Sequence, residues 1–436
     1  MSIWTDFGFR ASPYGTEPIP ATEEGDRLLV GRDKPLSSLM ATITSSALHP
    51  TIEGDNGVGK TSLVSVASYR LHRKFQTGET GQALIPLRSA FQLSASDTAD
   101  SFAHRVYYEI AQGFIEHEPE LRARGIDVPS TAAVDKWLNS PVFTTTGGGG
   151  SILGNGAEFT RGTEPGSSGF GEAGFASAVR TWLASAFPDL QAGGFVCVID
   201  NLELLETSKA ARTLLESMRD GILAVKGLRW VLCGARGIMR TTASSQRLEG
   251  RLREPMDLAA LPDVDVEEVM RRRIEVFGVG SDVLAPVGPR GFRHIYELLN
   301  RNLRNALKYC EDFAFWLHEN QDTATTDDEV FALFEVWLTT QSDAAFTATT
   351  LTPKAWEVFD GIVSRGGSIS PSDHPDFGFK EMANMRPYIK ALEETQLVVS
   401  SVDESDKRRR TIGVTSRGWM VNYARSGYKL PERLTS

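Results

Sequence analysis

Eight residues constrain this chain more than any others: Gly54, Asp55, Asn56, Gly57, Val58, Gly59, Lys60 and Thr61, which spell G-x-x-x-x-G-K-T. They lie between an apolar stretch ending near Glu53 and an amphipathic run containing Leu63, Val64, Val66 and Ala67. That order predicts a short strand, a tight loop and a helix beginning around Lys60. The glycines let the backbone curl until successive N–H groups converge, and the positive end of the following helix faces the same point. The product is a cradle for a polyphosphate. Lys60 is placed to reach the β and γ phosphates, and Thr61 to set its hydroxyl on Mg²⁺, with Ser62 beside it. ATP with Mg²⁺ is the expected ligand.

A second motif belongs with the first. In GGFVCVIDNLELLE, five apolar residues from Phe195 to Ile199 predict a buried strand capped by Asp200. A carboxylate at the C-terminal edge of such a strand would orient a water on the metal, because α/β sheets present their ligand sites at that edge. Asp200 is followed by Asn201, where many ATPases of this type carry the glutamate that polarises the attacking water. The nearest acids are Glu203 and Glu206, so hydrolysis is expected to be slow or partner-dependent. A third apolar strand from Trp230 to Ala235 ends in Arg236, a candidate sensor of the γ-phosphate.

Composition narrows the setting. At 436 residues with 41% apolar content, the chain is long enough for two or three domains with real cores. No run approaches the roughly 18 apolar residues of a spanning helix, and the first residues lack a signal-peptide pattern, so a cytoplasmic location is expected. Cys197, Cys233 and Cys310 sit in apolar segments without metal spacing, and the seven histidines are scattered, so both sets read as ordinary core or surface residues. A net charge of −10 excludes coating of nucleic acid by bulk charge and leaves room only for a local basic patch.

These motifs resemble the AAA+ and STAND branch of P-loop ATPases, particularly the origin-initiator type with a C-terminal winged helix. LLVGRDKPLSSLMATI is similar to that family's opening segment, which implies that Val30, Gly31 and Arg32 lie beside the adenine. LAALPDVDVEEVMRRRIEVFG and GFRHIYELLNRNLRNALKYCEDFAFWLHEN are similar to its helical lid. The resemblance implies that a lid arginine closes over the γ-phosphate, with Arg304 the best match and Arg301 the runner-up. It also implies assembly into oligomers in which Arg219 or Arg229 completes a neighbour's site. Proteins of this architecture occur in bacterial defence and mobile-element systems, and the resemblance extends the expectation that far.

The expected architecture is α/β: a P-loop domain with a parallel sheet flanked by helices over residues 1–260, an all-α lid over 261–345, and a winged helix over 346–436. Ala83 to Arg88 should form an edge strand, the one place Pro86 is tolerable, and Pro50 should sit at the start of the central strand. Helical patterning runs near Phe102 to Glu116 and Thr131 to Leu138. Residues 144–174 are too glycine-rich for a helix and predict a loop or weak hairpin.

In the last segment, Ala355 to Val363 predicts an amphipathic helix, Pro387 the first turn of another, and LVVS with TIGV a strand pair around DESDKRRR. Lys407, Arg408, Arg409 and Arg410 make the wing a candidate phosphate contact, joined by Lys380, Arg386 and Lys390. Residues 351–436 hold 13 Lys and Arg against 11 Asp and Glu, a basic module in an acidic chain. The function expected from all this is an ATP-dependent switch that couples nucleotide state to self-association and DNA binding. The alternative is a scaffold that holds ATP with little turnover and recruits a protein effector.

Overall fold

The computed structural model describes residues 2–94, 96–139, 172–202, 208–235, 237–280, 283–320, 326–403 and 409–427. Helices α1 (Ile3–Asp6), α2 (Glu23–Leu28) and α3 (Asp33–Ser45) precede β1 (Thr51–Glu53), which feeds the glycine loop, and α4 (Lys60–Thr77), which leaves it. Strands β2 (Ala83–Pro86) and β3 (Phe91–Gln92) lead to α5 (Ala99–Ala123) and α6 (Ala132–Asn139). Then come α7 (Glu172–Ala186), β4 (Gly193–Asp200), α8 (Ser208–Met218), β5 (Leu228–Gly234), α9 (Ile238–Ala243) and β6 (Met256–Asp257).

The strands pair in parallel in the order β2-β4-β5-β1-β6, with β3 also beside the end of β4. Parallel sheets are covered on both faces, which is why β4 and β5 read as nearly unbroken apolar runs. One face packs against α3 and α4 through Leu36, Leu63, Val66 and Val231. The other packs against α5 and α7 through Phe114, Trp182, Phe195 and Trp230. Pro86 closes edge strand β2, and Pro50 immediately precedes β1 with its carbonyl accepting from Leu232 N at 3.1 Å, so neither proline interrupts a ladder. This is a P-loop fold.

Four helices follow: α10 (Asp263–Phe277), α11 (Pro289–Leu298), α12 (Leu303–Asn320) and α13 (Asp327–Thr347). They enclose a separate core around Phe292, Ile295, Phe313, Phe334 and Trp337. The amino-terminal segment is threaded through it. Tyr14 is fully buried there, its hydroxyl donating to Val287 O at 3.0 Å and accepting from Val287 N at 2.7 Å. Net contributions near 1 kcal/mol per hydrogen bond, added to the burial of an aromatic ring, fasten the segment to the lid.

The remaining elements are α14 (Pro353–Ser364), β7 (Ser368–Ile369), a 3₁₀ turn over Pro371–Phe377, α15 (Met382–Glu394), β8 (Val398–Asp403), β9 (Arg409–Val414) and α16 (Ser416–Ser426). The strands form an antiparallel sheet in the order β7-β9-β8 over a core of Val358, Phe359, Met385, Leu392 and Ile412. The predicted pairing of LVVS with TIGV is present, with Val398 opposite Val414 and Ser400 opposite Ile412.

Several expectations need correction. Pro387 is the sixth residue of α15, not part of its first turn. Its missing N–H and ring deprive the Ala383 carbonyl of a helix partner, a cost met by Met385, Ile389 and Leu392 packing on the other side. The glycine-rich stretch ends earlier than expected because α7 already begins at Glu172, where the sequence turns to alanine and apolar residues. Residues 140–171 lie outside the described residues. The third core strand starts at Leu228, two residues before its predicted beginning. Arg409 and Arg410 belong to β9, with Arg409 opposite Asp403, so they extend the ladder instead of forming the turn. Among the described residues, no helix is long and apolar enough to cross a membrane.

Candidate nucleotide site

The three residues of β1 are buried between two parallel neighbours, and the strand delivers the chain into the glycine loop at the C-terminal edge of the sheet. Gly57 has φ +81° and Gly59 φ +96°, the left-handed backbone that an inward-curling loop needs. Gly57 also has no room for a side chain: a Cβ there would lie 2.9 Å from both Arg304 Cβ and Asn302 Oδ1. The loop therefore fits beneath the lid only as glycine.

Lys60, the first residue of α4, is buried and donates from Nζ to Gly54 O at 2.8 Å and Asp55 O at 3.2 Å. Its ammonium thus waits on the loop's own carbonyls. The Thr61 hydroxyl donates to Asp200 Oδ2, which joins the start of α4 to the end of β4. The other oxygen, Asp200 Oδ1, is buried without a hydrogen-bond partner. A buried carboxylate oxygen left unpaired is costly, and beside a threonine hydroxyl at a helix N-terminus it suits a hydrated Mg²⁺ bridging to phosphate. The residues present fit ATP with Mg²⁺.

These groups open onto a solvent-accessible cleft between the sheet and the helices that follow it. Asn56, Gly57, Val58, Gly59, Lys60 and Thr61 line one wall, joined by Ser62, Asp200 and Asn201. The lid supplies Leu303, Arg304 and Leu307 above them. Val30 and Arg32 line the other end with Leu28, Leu29, Leu261 and Val269, an apolar slot suited to a planar base.

Individual residues differ from expectation in what they do there. Arg32 lines the cleft, yet its guanidinium is committed to carbonyls, with Nη1 donating to Ala259 O at 2.8 Å and Nη2 to Val58 O at 3.0 Å. Burial pushes its pKa down from the ordinary arginine value. It fixes the loop against the segment after β6. Gly31 packs against Asp265, where a Cβ would come within 2.6 Å of that carboxylate, so it allows α10 to approach. Ser62 Oγ accepts from Ile19 N at 3.0 Å. Between the two lid candidates, Arg304 faces the cleft while Arg301 pairs with Asp263 Oδ2 at 3.0 Å. Arg229, at the start of β5 and thus the opposite end of the sheet, donates to Leu190 O at 2.7 Å, and Arg219 pairs with Asp220 at 3.4 Å. Glu203, Glu206 and Arg236 lie outside the described residues, as do Lys407 and Arg408.

Sequence reading missed three contributors. Residues Thr16, Glu17, Pro18 and Ile19 form part of the cleft wall, positioned by Arg273 of α10, whose Nη1 donates to Pro13 O at 2.9 Å and Gly15 O at 3.0 Å. Burial lowers the Arg273 pKa to about 10, which leaves it charged at neutral pH. Glu53, buried at the end of β1, accepts from Arg240 Nη2 at 2.8 Å and Gly237 N at 3.1 Å and so locks the chain after β5 beside the loop. Asn302 caps α12 by accepting from Asn305 N at 3.0 Å, and its amide donates to Asn56 O at 3.1 Å. Only this last residue had a readable signal, an asparagine just before the periodic run of a helix.

No family model matches this chain, and no curated protein matches it. Solved structures resemble it along nearly its whole length. The ADP form of the ORC2 protein of Aeropyrum pernix is 12% identical with a TM-score of 0.45, covering 98% of this chain and 100% of that one. The ORC1 protein of the same organism, in complex with DNA, is 14% identical with a TM-score of 0.44, covering 96% and 97%. The RuvB Holliday junction branch migration motor of Thermotoga maritima is 12% identical with a TM-score of 0.39, covering 95% and 99%.

In the C-terminal module, Lys380, Arg386 and Lys390 are exposed. Arg386 and Lys390 stand one turn apart on α15, on the side away from buried Met385, Ile389 and Leu392. Lys390 is paired with Glu394 at 3.6 Å, which reduces the field of that face. The module also touches the lid beside the cleft, where Asn300 Nδ2 donates to Gly366 O at 3.0 Å.

Proposed function

We propose that this chain binds ATP with Mg²⁺ between its parallel sheet and helical lid, and that nucleotide state sets the position of a C-terminal winged helix that contacts DNA. The observation that carries this reading is the meeting of Lys60, Thr61 and Asp200 in one cleft beneath Arg304. Bound Mg²⁺ would neutralise charge at the β and γ phosphates. Lys60 would exchange its carbonyl partners for phosphate oxygens, Asp200 and Thr61 would help hold the metal, and Arg304 would reach the γ-phosphate from the lid. ADP lacks that phosphate, so the two nucleotides differ in affinity for the closed lid, which is the condition for driving a change of state.

The route to the module is short. Asn302 holds the phosphate loop and Asn300 holds Gly366, two residues apart on the strap between α11 and α12. Asn300 and Arg301 both have positive φ, at 53° and 62°, so the strap is held in a backbone conformation that rearrangement would relieve. Self-association in the ATP state and a cytoplasmic location belong to the same proposal, as does a role in a defence or mobile-element system. Asn201 after Asp200 favours slow or partner-dependent hydrolysis, and it also favours the second reading, a scaffold that retains ATP and recruits a protein effector.

Binding to duplex DNA, measured by anisotropy in ATP, in ADP and without nucleotide, tests the switch, with turnover followed in the same samples. DNA binding that tightens with ATP, and turnover that rises with DNA, support it. Equal binding in all three states removes the coupling, and tight ATP retention without turnover or DNA binding leaves the scaffold.

A further inference from the structure

Away from the nucleotide cleft, α4 and α5 bring three potential metal ligands together. His72 lies on α4, and His117 and Glu120 stand three residues apart on α5, with their ligand atoms all within 4.8 Å of one another. His72 Nε2 is 3.2 Å from Glu120 Oε1, and His117 Nδ1 is 3.4 Å from Glu120 Oε2. Ligands at about 2.0–2.1 Å from a tetrahedral zinc ion are separated by roughly 3.3 Å, so each imidazole nitrogen already stands at about that distance from its nearer Glu120 oxygen.

Two further observations point to an ion in place of a simple ion pair. His72 Nε2 and Glu120 Oε1 are both buried, 3.2 Å apart, with no other partner for either atom among the described residues. The cations that would ordinarily neutralise Glu120 are engaged elsewhere: Arg122 pairs with Glu118 at 2.9 Å, and Arg124 bonds to Gln76 O and lies over the Phe75 ring at 5.9 Å. Among the described residues, the side-chain partners of Glu120 are the two imidazoles and Gln76 Nε2 at 3.5 Å. The two rings meet edge-on, 5.1 Å apart at 88°, so each turns a different direction toward the carboxylate.

We infer that His72, His117 and Glu120 form a Zn²⁺ site that clamps the phosphate-binding helix to α5, with water in the fourth position. Two imidazoles and one carboxylate form a borderline ligand set that prefers zinc to Mg²⁺ or Ca²⁺. The fourth position opens toward solvent, since the His117 and Glu120 side chains are 18% and 25% exposed. His72 is twelve residues along α4 from Lys60, about 18 Å at the helical rise, so this metal is separate from the one at the nucleotide. Pro119 lies inside α5 between the two ligands and removes a helix hydrogen bond there. A metal cross-link steadies that weakened turn. The spacing is invisible in sequence because the first ligand is 45 residues away from the second, on another helix.

The test uses the full chain with any affinity tag removed, stripped with a chelator, dialysed, and titrated with Zn²⁺ against a chromophoric indicator in excess Mg²⁺. One Zn²⁺ per chain is expected, with affinity falling at least about 100-fold in His117→Ala and in Glu120→Gln, both at partly exposed positions. Co²⁺ in the wild type should give the intense visible absorption of a tetrahedral complex, lost in both variants. ATP affinity and circular dichroism of the variants check that they are folded. Absence of zinc uptake by the wild type, or uptake equally strong in folded His117→Ala and Glu120→Gln, overturns the assignment.

Discussion

The cleft and the C-terminal module present charge by opposite means. In the cleft, Lys60 and Asp200 are 6% and 7% exposed, and their positions are set by backbone: a left-handed loop, a helix start and a strand end. In the module, Arg386 and Lys390 stand in solvent on a helix face, with one of them already paired to a glutamate. Water screens the second pair and hardly reaches the first. The cleft should therefore depend on individual residues and little on salt, whereas the module should depend on salt and little on any one residue.

The sharpest way to break that contrast is Lys60→Ala. Removing a buried, charge-assisted phosphate donor is expected to weaken ATP binding by about 100-fold, near 3 kcal/mol, with an unchanged circular dichroism spectrum; calorimetry measures it. A loss below about 5-fold would mean that the cleft behaves like a surface. Arg304→Ala should cost ATP about 10- to 30-fold and ADP much less, because only the triphosphate reaches the lid. Equal losses for both nucleotides would make Arg304 a packing residue.

A third prediction concerns the junction where module and lid meet. Glu335 on α13 lies 3.3 Å from His294 of α11, and the His294 ring is 5.8 Å from that of Tyr423 on α16. Burial raises Glu335 to about 7, and burial together with Arg290 lowers His294 to about 4. The folded state thus favours a protonated Glu335, whose contribution is complete below its unfolded value near 4.5 and is lost as pH rises through 7. For His294 the sign is opposite: its contribution is complete above about 6.5 and lost as pH falls through 4. Glu335→Gln should remove the acid-side gain, flattening the fall in stability between pH 4.5 and 7 by about 1 kcal/mol after allowance for solvent. Thermal melts across that range measure it, and an unaltered profile would place the titrating group elsewhere.

The smallest effect is expected on the exposed face of α15. Arg386→Ala should weaken DNA binding only about 2- to 5-fold and reduce the slope of log affinity against log salt by about 0.9, the value of one phosphate contact. Weakening by 100-fold at constant slope would show that the module reads DNA through a buried contact, and the contrast with the cleft would fail.

Sequence alone determined the phosphate loop, because its geometry is local: glycines, a lysine and a threonine act through the backbone of eight consecutive residues. It determined the strand ending in Asp200 and the hairpin of β8 and β9 for the same reason, since apolar runs and turns are read over short distances. Tertiary structure decided which arginine faces the cleft, because Arg301 lies on the strap before α12 and Arg304 in the first turn of α12, and only the fold of α11 onto α12 sends one to Asp263 and the other to the cleft. It also decided that Arg32 holds carbonyls, that residues 16–19 wall the site, and that His72 meets His117 and Glu120. Those contacts join segments tens to hundreds of residues apart. Their partners are selected by how separate elements pack, a property that no local window of the chain contains.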